Sequence, residues 1–386
     1  MGNRKILGVT GIRSEYDIMS SVFKAIHMND NLDLKLAVMG AHLSDMYGYT
    51  ISEIYNDGFS IVDEIDSLLN SDRDSARVKG LGVQLQSLVQ TVVREKPDIL
   101  LVLGDREESI TTALVGSYMN IPVAHIGGGD RVVGNVDDQI RHAVSKLAHI
   151  HFVTNTESEN RLIRLGEQPF RIHNVGNPGL DRLLAVETMS KKEISESLGF
   201  NLIESEPILM VIQHVLSSEI NDAYSQMTET LLAIEELGIQ TILSCPNSDA
   251  GGQQMIKAID EFRHLPNLYV AKSIPRKEFV NLFRIVDCLL GNSSAGILES
   301  PLLGLPVVNV GNRQIGRLHS ENVLFVNHNR KEIKDAVLKS LFDDEYKLQV
   351  SKCNNPYGNG DAANKIVEIL NSVDLDDNLI IKDITY

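Results

Sequence analysis

Short apolar segments alternate with longer amphipathic segments along the whole chain of 386 residues. The apolar segments have the length of strands, and the amphipathic segments have the length of helices. Near-continuous apolar strands that are separated by helices are typical of a parallel sheet covered on both faces. In the first half, this pattern predicts strands over Lys5–Thr10, Leu34–Met39, Asp98–Leu103, Ile121–Ile126 and Ile150–Thr154, and helices over Leu81–Arg94, Ile110–Tyr118, Asp137–Ala148 and Ser158–Leu165.

The same pattern starts again in the second half of the chain. Between the halves, Asn174–Asp181 contains two glycines and a proline, and the residues that follow it are mostly polar. We therefore predict two α/β domains, residues 1–178 and 179–386, each built around a doubly wound parallel sheet. Such sheets bind ligands beyond the carboxyl ends of their strands, so a shared cleft between the domains is expected. The strands predicted for the second domain are Ile208–Ile212, Thr241–Ser244, Leu268–Ala271, Cys288–Leu290 and Val307–Val310.

Composition and charge exclude several classes of protein. The chain has 36 Lys and Arg residues against 52 Asp and Glu residues, a net charge of −16, whereas a nucleic-acid partner requires a basic surface. A local group of arginines can still bind a small anion, because salt screens charges beyond about 8 Å. No apolar stretch approaches the roughly 18 residues that cross a bilayer, and the N-terminal apolar run is too short for a secretion signal. The three cysteines lack the spacing of metal ligands and suit reduced thiols, so we expect a cytoplasmic protein without a metal or a membrane partner.

Candidate functional residues follow the predicted strands of the first domain. Gly11 and Arg13 come after the first strand at the start of a helix, an arrangement that favours an anion. A plain strand–turn–helix junction with a solvated arginine is the alternative. Asp105 and Arg106 follow the third predicted strand. A helix cap accounts for an acidic residue there, but it does not account for Arg106.

A glycine-rich loop and a helix start follow the next strand. The loop His125–Asp130 contains three consecutive glycines, which either let the backbone approach a ligand closely or simply make a flexible turn. On the helix after this loop, Asp137 is followed by Arg141, and Asp138 by His142, at i,i+4 spacing. Such pairs are usually solvated ion pairs. Their position after the glycine loop nevertheless makes them candidates for a site.

In the second domain, polar residues again follow the strands. His214 comes directly after the first strand, where a structural histidine is as good an explanation as a functional one, and a polar loop with Asn247 follows the next strand. Ser293 and Ser294 stand at a predicted helix start that suits a diphosphate. The segment lacks the second glycine of a nucleophile elbow. The further candidates are Glu299 within that helix, and Arg313 and Arg317 after the last predicted strand.

Five short motifs occur along the chain: G-D-R at 104–106, D-D-x-I-R-H at 137–142, Q-H at 213–214, G-N-S-S at 291–294 and R-Q-I-G-R at 313–317. Together they resemble the hydrolysing UDP-N-acetylglucosamine 2-epimerases, over roughly residues 4–370. The family implies a GT-B-like architecture, in which two Rossmann-like domains hold a nucleotide-sugar in an interdomain cleft and the last helices pack back on the first domain. It also implies a homodimer or homotetramer and a reaction that needs no cofactor.

The resemblance implies elimination followed by hydration. A base removes the C2 proton of a UDP-2-acetamido sugar while UDP leaves from C1; water then adds to the glycal at C1, and C2 is reprotonated on the other face. A general base supplies only about 10²–10⁴-fold, so groups that stabilise the departing diphosphate are expected to matter as much. By resemblance, Asp105 and either Asp137 or Asp138 are acid/base candidates and His214 lies at the diphosphate, while Arg13, Ser293, Ser294 and Arg317 hold phosphates or uridine and Glu299 lies on the ribose. To these we add Asp130 and Arg141 as catalytic candidates, and Arg106, Asn247 and Arg313 as substrate-binding candidates.

One position departs from the family's pattern. Close relatives carry a Glu at the third position of an H-x-E-G-G segment, a leading acid/base candidate, where this chain has Gly127. Either Asp130 or another carboxylate takes its place, or the substrate is a different sugar, such as a 2,4-diacetamido-6-deoxy sugar, or the protein does not catalyse the reaction. A nucleotide-sugar binding protein and a GT-B glycosyltransferase are therefore alternatives to a hydrolysing 2-epimerase.

Overall fold

The structure is a computed structural model that describes residues 3–69, 74–131, 136–246, 251–272, 274–383 and 385. It divides into two compact units. Met1–Leu184 and Tyr357–Tyr386 form the first unit, and Ala185–Pro356 form the second. The first unit extends beyond the sequence-based boundary at 178/179 to Leu184, and it includes the chain from Tyr357 onward, which the family resemblance expects to pack on this unit. Of the predicted site residues, Asn247 lies outside the described residues.

Each unit contains a parallel sheet. The strands are β1 (Arg4–Thr10), β2 (Leu32–Met39), β3 (Ile61–Ile65), β4 (Ile99–Leu103), β5 (Val123–Ile126), β6 (Ile150–Val153), β7 (Ile172–Asn174), β8 (Ile208–Ile212), β9 (Gln240–Ser244), β10 (Leu268–Ala271), β11 (Cys288–Gly291), β12 (Val307–Val310) and β13 (Val323–Val326). Within the described residues, the strand order is β3-β2-β1-β4-β5-β6-β7 in the first unit and β10-β9-β8-β11-β12-β13 in the second. Neighbouring strands pair in parallel in both sheets. The predicted pair of doubly wound parallel sheets is confirmed.

Helices connect the strands and cover the sheets. They are α1 (Arg13–His27), α2 (Ile51–Asn56), α3 (Asp74–Glu95), α4 (Glu107–Met119), α5 (Val136–Leu147), α6 (Thr156–Arg164), α7 (Pro178–Ala185), α8 (Lys191–Leu198), α9 (Ala223–Leu237), α10 (Gly252–Phe262), α11 (Arg276–Ile285), α12 (Ala295–Leu298), α13 (Arg330–Phe342), α14 (Asp344–Ser351), α15 (Ala362–Ser372) and α16 (Asp377–Ile380). In the part of the chain that the structure describes, none of them has both the length and the apolar character that crossing a bilayer requires.

Strand β1 shows how the first sheet buries both of its faces. Ile6 packs into a cluster with Phe23 of α1 and Ile366 of α15, whereas its neighbour Leu7 packs into a second cluster with Leu88 of α3. Successive side chains of a strand point to opposite faces, so helices are needed on both sides. In the second unit, one core cluster joins strands β8, β9 and β11 to helices α9, α10 and α13.

Helix α15 belongs to the first unit through polar and apolar contacts. The Asp181 carboxylate of α7 accepts hydrogen bonds from the backbone N–H groups of Ala362 and Ala363 at 3.1 and 2.6 Å. These are donors of the first turn of α15, which have no partner within the helix. Ile366 and Leu370 are fully buried in the core of the first unit. The chain therefore returns to this unit after the second unit is complete.

The predicted strands all occur, with ends that differ by at most two residues. Three of the four edge strands, β3, β7 and β13, were not predicted, whereas the edge strand β10 was. Edge strands are paired on one side only and are partly exposed, so their apolar runs are interrupted. The sequence of β3, for example, is Ile-Val-Asp-Glu-Ile. The apolar pattern therefore identifies the buried strands of a parallel sheet better than its edges.

Candidate active site

Asp105, Asp130 and Arg141, together the Arg141 cluster, meet at the carboxyl end of the first sheet. Asp105 follows β4 through Gly104, whose φ is +82°, and Arg141 lies on α5. Arg141 Nη2 donates to the Asp105 carboxylate. Arg141 Nη1 donates to the backbone oxygen of Gly127 at 2.7 Å and lies 3.9 Å from Asp130 Oδ2. One guanidinium therefore lies between two carboxylates that follow different strands, and it orients Asp105 through a charge-assisted hydrogen bond.

Asp130 is held in place by two hydroxyl groups. Thr154 Oγ1 and Ser158 Oγ donate to its Oδ1 at 2.7 and 2.6 Å, while Oδ2 faces Arg141. The Asp130 side chain is 29% exposed and that of Asp105 is 16% exposed. Both carboxylates are thus oriented by the protein and still accessible to a ligand.

A buried histidine supports the turn that carries Asp105. His125 Nε2 donates to the Gly104 backbone oxygen at 2.7 Å. Burial lowers the pKa of His125 to about 3, so its imidazole is neutral near pH 7 and carries its proton on Nε2 to make this bond. The other ring nitrogen lies 3.5 Å from Ser145 Oγ, one turn after Arg141 on α5. The imidazole therefore connects the Asp105 turn to the helix of Arg141.

Gly127 borders the same cluster. Its φ is +77°, and a Cβ atom at this position would lie 3.2 Å from Arg141 Nη1 and 3.6 Å from Asp130 Oδ2. A side chain at position 127 would therefore point toward Arg141. The Asp130 carboxylate therefore lies beside the position at which the family pattern has a Glu.

The two aspartates at the start of α5 have other partners. Asp137 Oδ1 lies 3.8 Å from Arg77 Nη2 of α3, and Asp138 Oδ2 lies 3.7 Å from His142 Nε2 on the next turn. Arg77 also pairs with Glu107 at the start of α4. Asp137 thus pairs with an arginine of a different helix, and Asp138 lies beside the histidine one turn further along α5.

Two buried carboxyl groups, Glu15 of α1 and Glu108 of α4, lie against Gly11, and neither is among the predicted site residues. Gly11 N donates to Glu15 Oε2 at 3.2 Å, and a Cβ atom at position 11 would lie 2.0 Å from Glu108 Oε1. Burial raises the pKa of both groups, and the charge of Glu108 raises that of Glu15 further. The Glu15 carboxyl group therefore already accepts from the backbone amide that was expected to bind an anion.

A repeated pattern is the sequence signal for this pair. Arg-x-Glu occurs at 13–15 and again at 106–108, each time directly after a strand. The Arg13 side chain is 60% exposed and lies 3.3 Å from Glu53, and the Arg106 side chain is 40% exposed and lies 3.8 Å from Glu108. In each pattern the glutamate is buried, while the arginine is accessible to a ligand.

In the second unit, Asn292 joins the ends of three strands. Its side chain accepts a hydrogen bond from His214 N at 2.7 Å and donates to His214 O at 2.9 Å. Its backbone oxygen accepts from Arg313 Nη1 at 3.0 Å and from Gln314 Nε2 at 2.9 Å. Asn292 and Gln314 are buried and are not among the predicted site residues. Their positions within the G-N-S-S and R-Q-I-G-R motifs are the signal that indicates them.

The loop after β11 carries the remaining candidates. Ser293 Oγ accepts a hydrogen bond from Ala295 N at 3.3 Å, and Ser294 directly precedes α12. Glu299, predicted within that helix, follows its last residue instead, and its Oε2 lies 3.8 Å from Arg276 of α11. Burial raises the pKa of Glu299, and Arg276 partly offsets the increase. Arg317 is exposed.

The sequence of this chain is similar to those of known proteins. A family profile described as UDP-N-acetylglucosamine 2-epimerase matches residues 24–371. The chain belongs to the UDP-N-acetylglucosamine 2-epimerase family. A relative from Legionella pneumophila, named UDP-N,N'-diacetylbacillosamine 2-epimerase (hydrolyzing), is 36% identical over 98% of both chains. Another from Campylobacter jejuni, named GDP/UDP-N,N'-diacetylbacillosamine 2-epimerase (hydrolyzing), is 30% identical over 97% of both.

Solved structures of UDP-N-acetylglucosamine 2-epimerases share the fold. The Neisseria meningitidis UDP-GlcNAc 2-epimerase, bound to UDP-GlcNAc, has a TM-score of 0.75 at 20% identity, with 95% of this chain and 99% of that chain covered. The Methanocaldococcus jannaschii UDP-GlcNAc 2-epimerase has a TM-score of 0.76 at 19% identity, with the same coverage. The resemblance to this epimerase family and the GT-B-like class of two Rossmann-like domains are thereby confirmed.

Proposed function

We propose that this member of the epimerase family is a hydrolysing enzyme, which converts a UDP-2-acetamido sugar into UDP and the free 2-epimer. The Arg141 cluster carries the proposal. Inversion at C2 needs one group that removes a proton and another that returns one. Asp105 and Asp130 offer two oriented, accessible carboxylates from separate loops, with the Arg141 guanidinium between them.

In the proposed reaction, one carboxylate takes the C2 proton, and the electron pair left behind forms the C1=C2 double bond of a glycal. The C1–O bond breaks, and UDP leaves with its bonding electrons. Water then adds its OH to C1, while a proton reaches C2 on the opposite face. The sum is UDP-sugar plus water to UDP plus free sugar. Because no net oxidation occurs, the chemistry needs no redox cofactor.

We assign UDP binding to the ends of β8, β11 and β12. His214 has its backbone fixed by Asn292 on both sides, and Ser293 and Ser294 offer hydroxyl groups at the start of a short helix. These donors suit a diphosphate, because hydrogen bonds to a charged group are stronger than those between neutral groups. We keep Glu299 as the proposed partner of the ribose. In the first unit, Arg13 and Arg106 stay the proposed phosphate ligands.

UDP-N,N'-diacetylbacillosamine is the substrate that we favour over UDP-N-acetylglucosamine. The two relatives reported above, at 36% and 30% identity over nearly their whole lengths, carry that sugar in their names. The homodimer or homotetramer and the cytoplasmic location stay predictions.

One experiment separates the candidate functions. The protein is incubated in D₂O with UDP-N,N'-diacetylbacillosamine or with UDP-N-acetylglucosamine, and ³¹P and ¹H NMR follow the products. Free UDP together with a free sugar that carries deuterium at C2 is expected. An epimer that keeps its UDP would show a non-hydrolysing enzyme. UDP release only with an acceptor would show a glycosyltransferase, and binding without turnover would show a nucleotide-sugar binding protein.

A further inference from the structure

A buried arginine and a partly buried lysine fasten the C-terminal segment 378–382 to the first unit. Arg171, just before β7, donates from its guanidinium to the backbone oxygens of Asn378 at 2.8 Å, Leu379 at 2.5 Å and Ile381 at 2.7 Å. Its side chain is among the largest that are fully buried. Backbone oxygens therefore replace water around the arginine charge. A contact of this kind fixes the position of the segment, rather than only covering a surface.

Lys382 makes the reverse contact, from the segment into the body of the unit. Its Nζ donates to the backbone oxygens of Ser145 at 3.3 Å, Lys146 at 2.8 Å and Ala148 at 2.5 Å, at the carboxyl end of α5. The last carbonyls of a helix have no partner within it and carry partial negative charge. A lysine from the C-terminal segment thus caps α5.

Glu167 balances the charge of this lysine. Its carboxylate is fully buried, and it accepts from Lys382 at 2.6 Å, from Lys146 at 2.7 Å and from His151 at 3.0 Å. Burial works to raise the pKa of Glu167, but these partners lower it to about 2. Burial lowers the pKa of Lys382 to about 8, and Glu167 opposes that change. Both groups are therefore charged at neutral pH.

Helix α5 connects this capped end to the Arg141 cluster. Arg141 lies one turn before Ser145, and Ser145 Oγ donates to the Arg141 backbone oxygen at 2.9 Å. A helix is stiff over one turn, because its hydrogen bonds run along the axis. A shift at the carboxyl end of α5 therefore moves the guanidinium relative to Asp105, which stands on a different loop. We propose that Lys382 is a positioning residue, which sets the place of Arg141 by fixing the end of α5.

Lys382→Met tests the inference, because methionine retains much of the side chain's bulk and loses its donors. Two quantities are measured: backbone hydrogen exchange over residues 139–147 without substrate, and kcat and KM for UDP release. We expect faster exchange in the last turns of α5, and a fall in kcat of about 10- to 100-fold from a misplaced Arg141, with little change in KM. Lys382→Arg keeps the cation and is expected to recover most of both.

Two control variants separate positioning from a general loss of stability. Lys365→Met removes a lysine that pairs with Asp361 on the surface of the same unit, and Asp181→Ala removes the carboxylate that caps α15. Both are expected to keep kcat and the exchange of α5. The inference is overturned if Lys382→Met exchanges α5 at the wild-type rate, or if Asp181→Ala loses as much kcat at the same folded fraction.

If Lys382→Met does not fold, Glu167→Gln tests the same connection, because it removes the charge that holds the lysine. Faster exchange at the end of α5 supports the inference, and unchanged exchange overturns it. The kcat measurement rests on the proposed epimerase activity, whereas the exchange measurement does not. A wild-type protein that releases no UDP contradicts the proposed function, and the exchange of α5 then decides the inference by itself.

Discussion

The two units share a strand order but present different chemistry at the carboxyl ends of their sheets. In the first unit, Asp105 and Asp130 stand on either side of the Arg141 guanidinium. In the second unit, the side-chain amide of Asn292 connects two strand ends, because it forms hydrogen bonds with both the backbone N–H and the backbone oxygen of His214. Two carboxylates on either side of a guanidinium shape the first site, and hydrogen bonds to the side chain and backbone of Asn292 shape the second.

The difference suits two tasks. Moving a proton to and from carbon needs groups that exchange protons and are held in a fixed orientation. Holding a nucleotide diphosphate needs donors in a fixed shape, which buried amides provide without titrating near neutral pH. The same fold can carry either kind of site, because the function depends on the residues that follow the strands. Changes in the Arg141 cluster should therefore lower kcat, and changes at His214 and Asn292 should raise KM.

Asp105→Asn is expected to have the largest effect. The amide keeps the shape of the carboxylate and cannot accept a proton, so we expect kcat to fall by about 10²–10⁴-fold. The affinity for UDP should stay near that of the wild type, because Asp105 is not among the proposed UDP ligands. Steady-state UDP release and calorimetric titration with UDP measure the two effects.

Asp98→Asn is the matched control, since it makes the same change just before β4, at the other end of the strand, where Asp98 accepts from Lys5 N at 2.7 Å. It should turn over normally. Normal turnover in Asp105→Asn would remove Asp105 from the mechanism and, with it, the division of tasks between the units.

His214→Ala tests the second unit. A hydrogen bond to a charged group contributes about 1.5–3 kcal/mol, so its loss should raise KM by about 10- to 100-fold. The kcat should change much less, and saturation curves for UDP release measure both. A fall in kcat at constant KM would assign His214 to the chemical step instead, and the comparison between the units would fail.

The carboxyl ends of the predicted strands were a good guide to the Arg141 cluster. Asp105, Asp130 and Arg141 were predicted candidates, and the structure brings them together because parallel strands end at one edge of the sheet. Side-chain direction was not predictable in the same way. Asp137 lies one turn before Arg141 on α5, yet it pairs with Arg77, which belongs to a different helix.

The burial of Glu15 and Glu108 could not be predicted from the sequence, for a physical reason. Carboxyl groups are rarely buried, so an acidic residue in the first turn of a helix is normally expected to be solvated. Here, the close approach of Gly11 leaves room for Glu108. The same limit applies to Asn292, whose role depends on contacts from three strands.

The two units should also differ in their stability toward acid. Among the described residues, the buried histidines all belong to the first unit. Burial lowers the pKa of each one: to about 4 for His42 and His149, to about 3 for His125, and also for His151. Burial also lowers the pKa of His328 in the second unit, but this histidine is partly exposed.

The sign follows from proton uptake. Below pH 6.5, the histidines of the unfolded chain bind protons that those of the folded protein do not. Their contribution to the free energy of unfolding is therefore fully present above pH 6.5 and is lost as the pH drops. Each buried histidine removes up to about 1.4 kcal/mol per pH unit below 6.5. Hydrogen exchange at pH 7.5 and 5.5, corrected for the intrinsic rate, should show a larger loss of protection in β1 and β5 than in β8 and β11. An equal loss in both units would contradict this.

Gly127→Ala should have the smallest effect, on a position where geometry and chemistry meet. A φ of +77° costs an alanine about 1–2 kcal/mol, and the new Cβ atom would lie 3.2 Å from Arg141 Nη1. We expect the free energy of unfolding to fall by about that amount, and kcat to fall by about tenfold or less, because the guanidinium shifts by a fraction of an ångström.

Gly238→Ala supplies the strain without the neighbour. Gly238 ends α9 with a φ of +65°, and no described atom lies within 4 Å of the Cβ position. Urea unfolding should give a similar loss of stability for both variants, whereas only Gly127→Ala should lose kcat. Equal kcat in the two would mean that a shift of the Arg141 guanidinium does not affect turnover. It would leave Arg141 free to move without consequence, and the proton-transfer site would then have to be sought away from the Arg141 cluster.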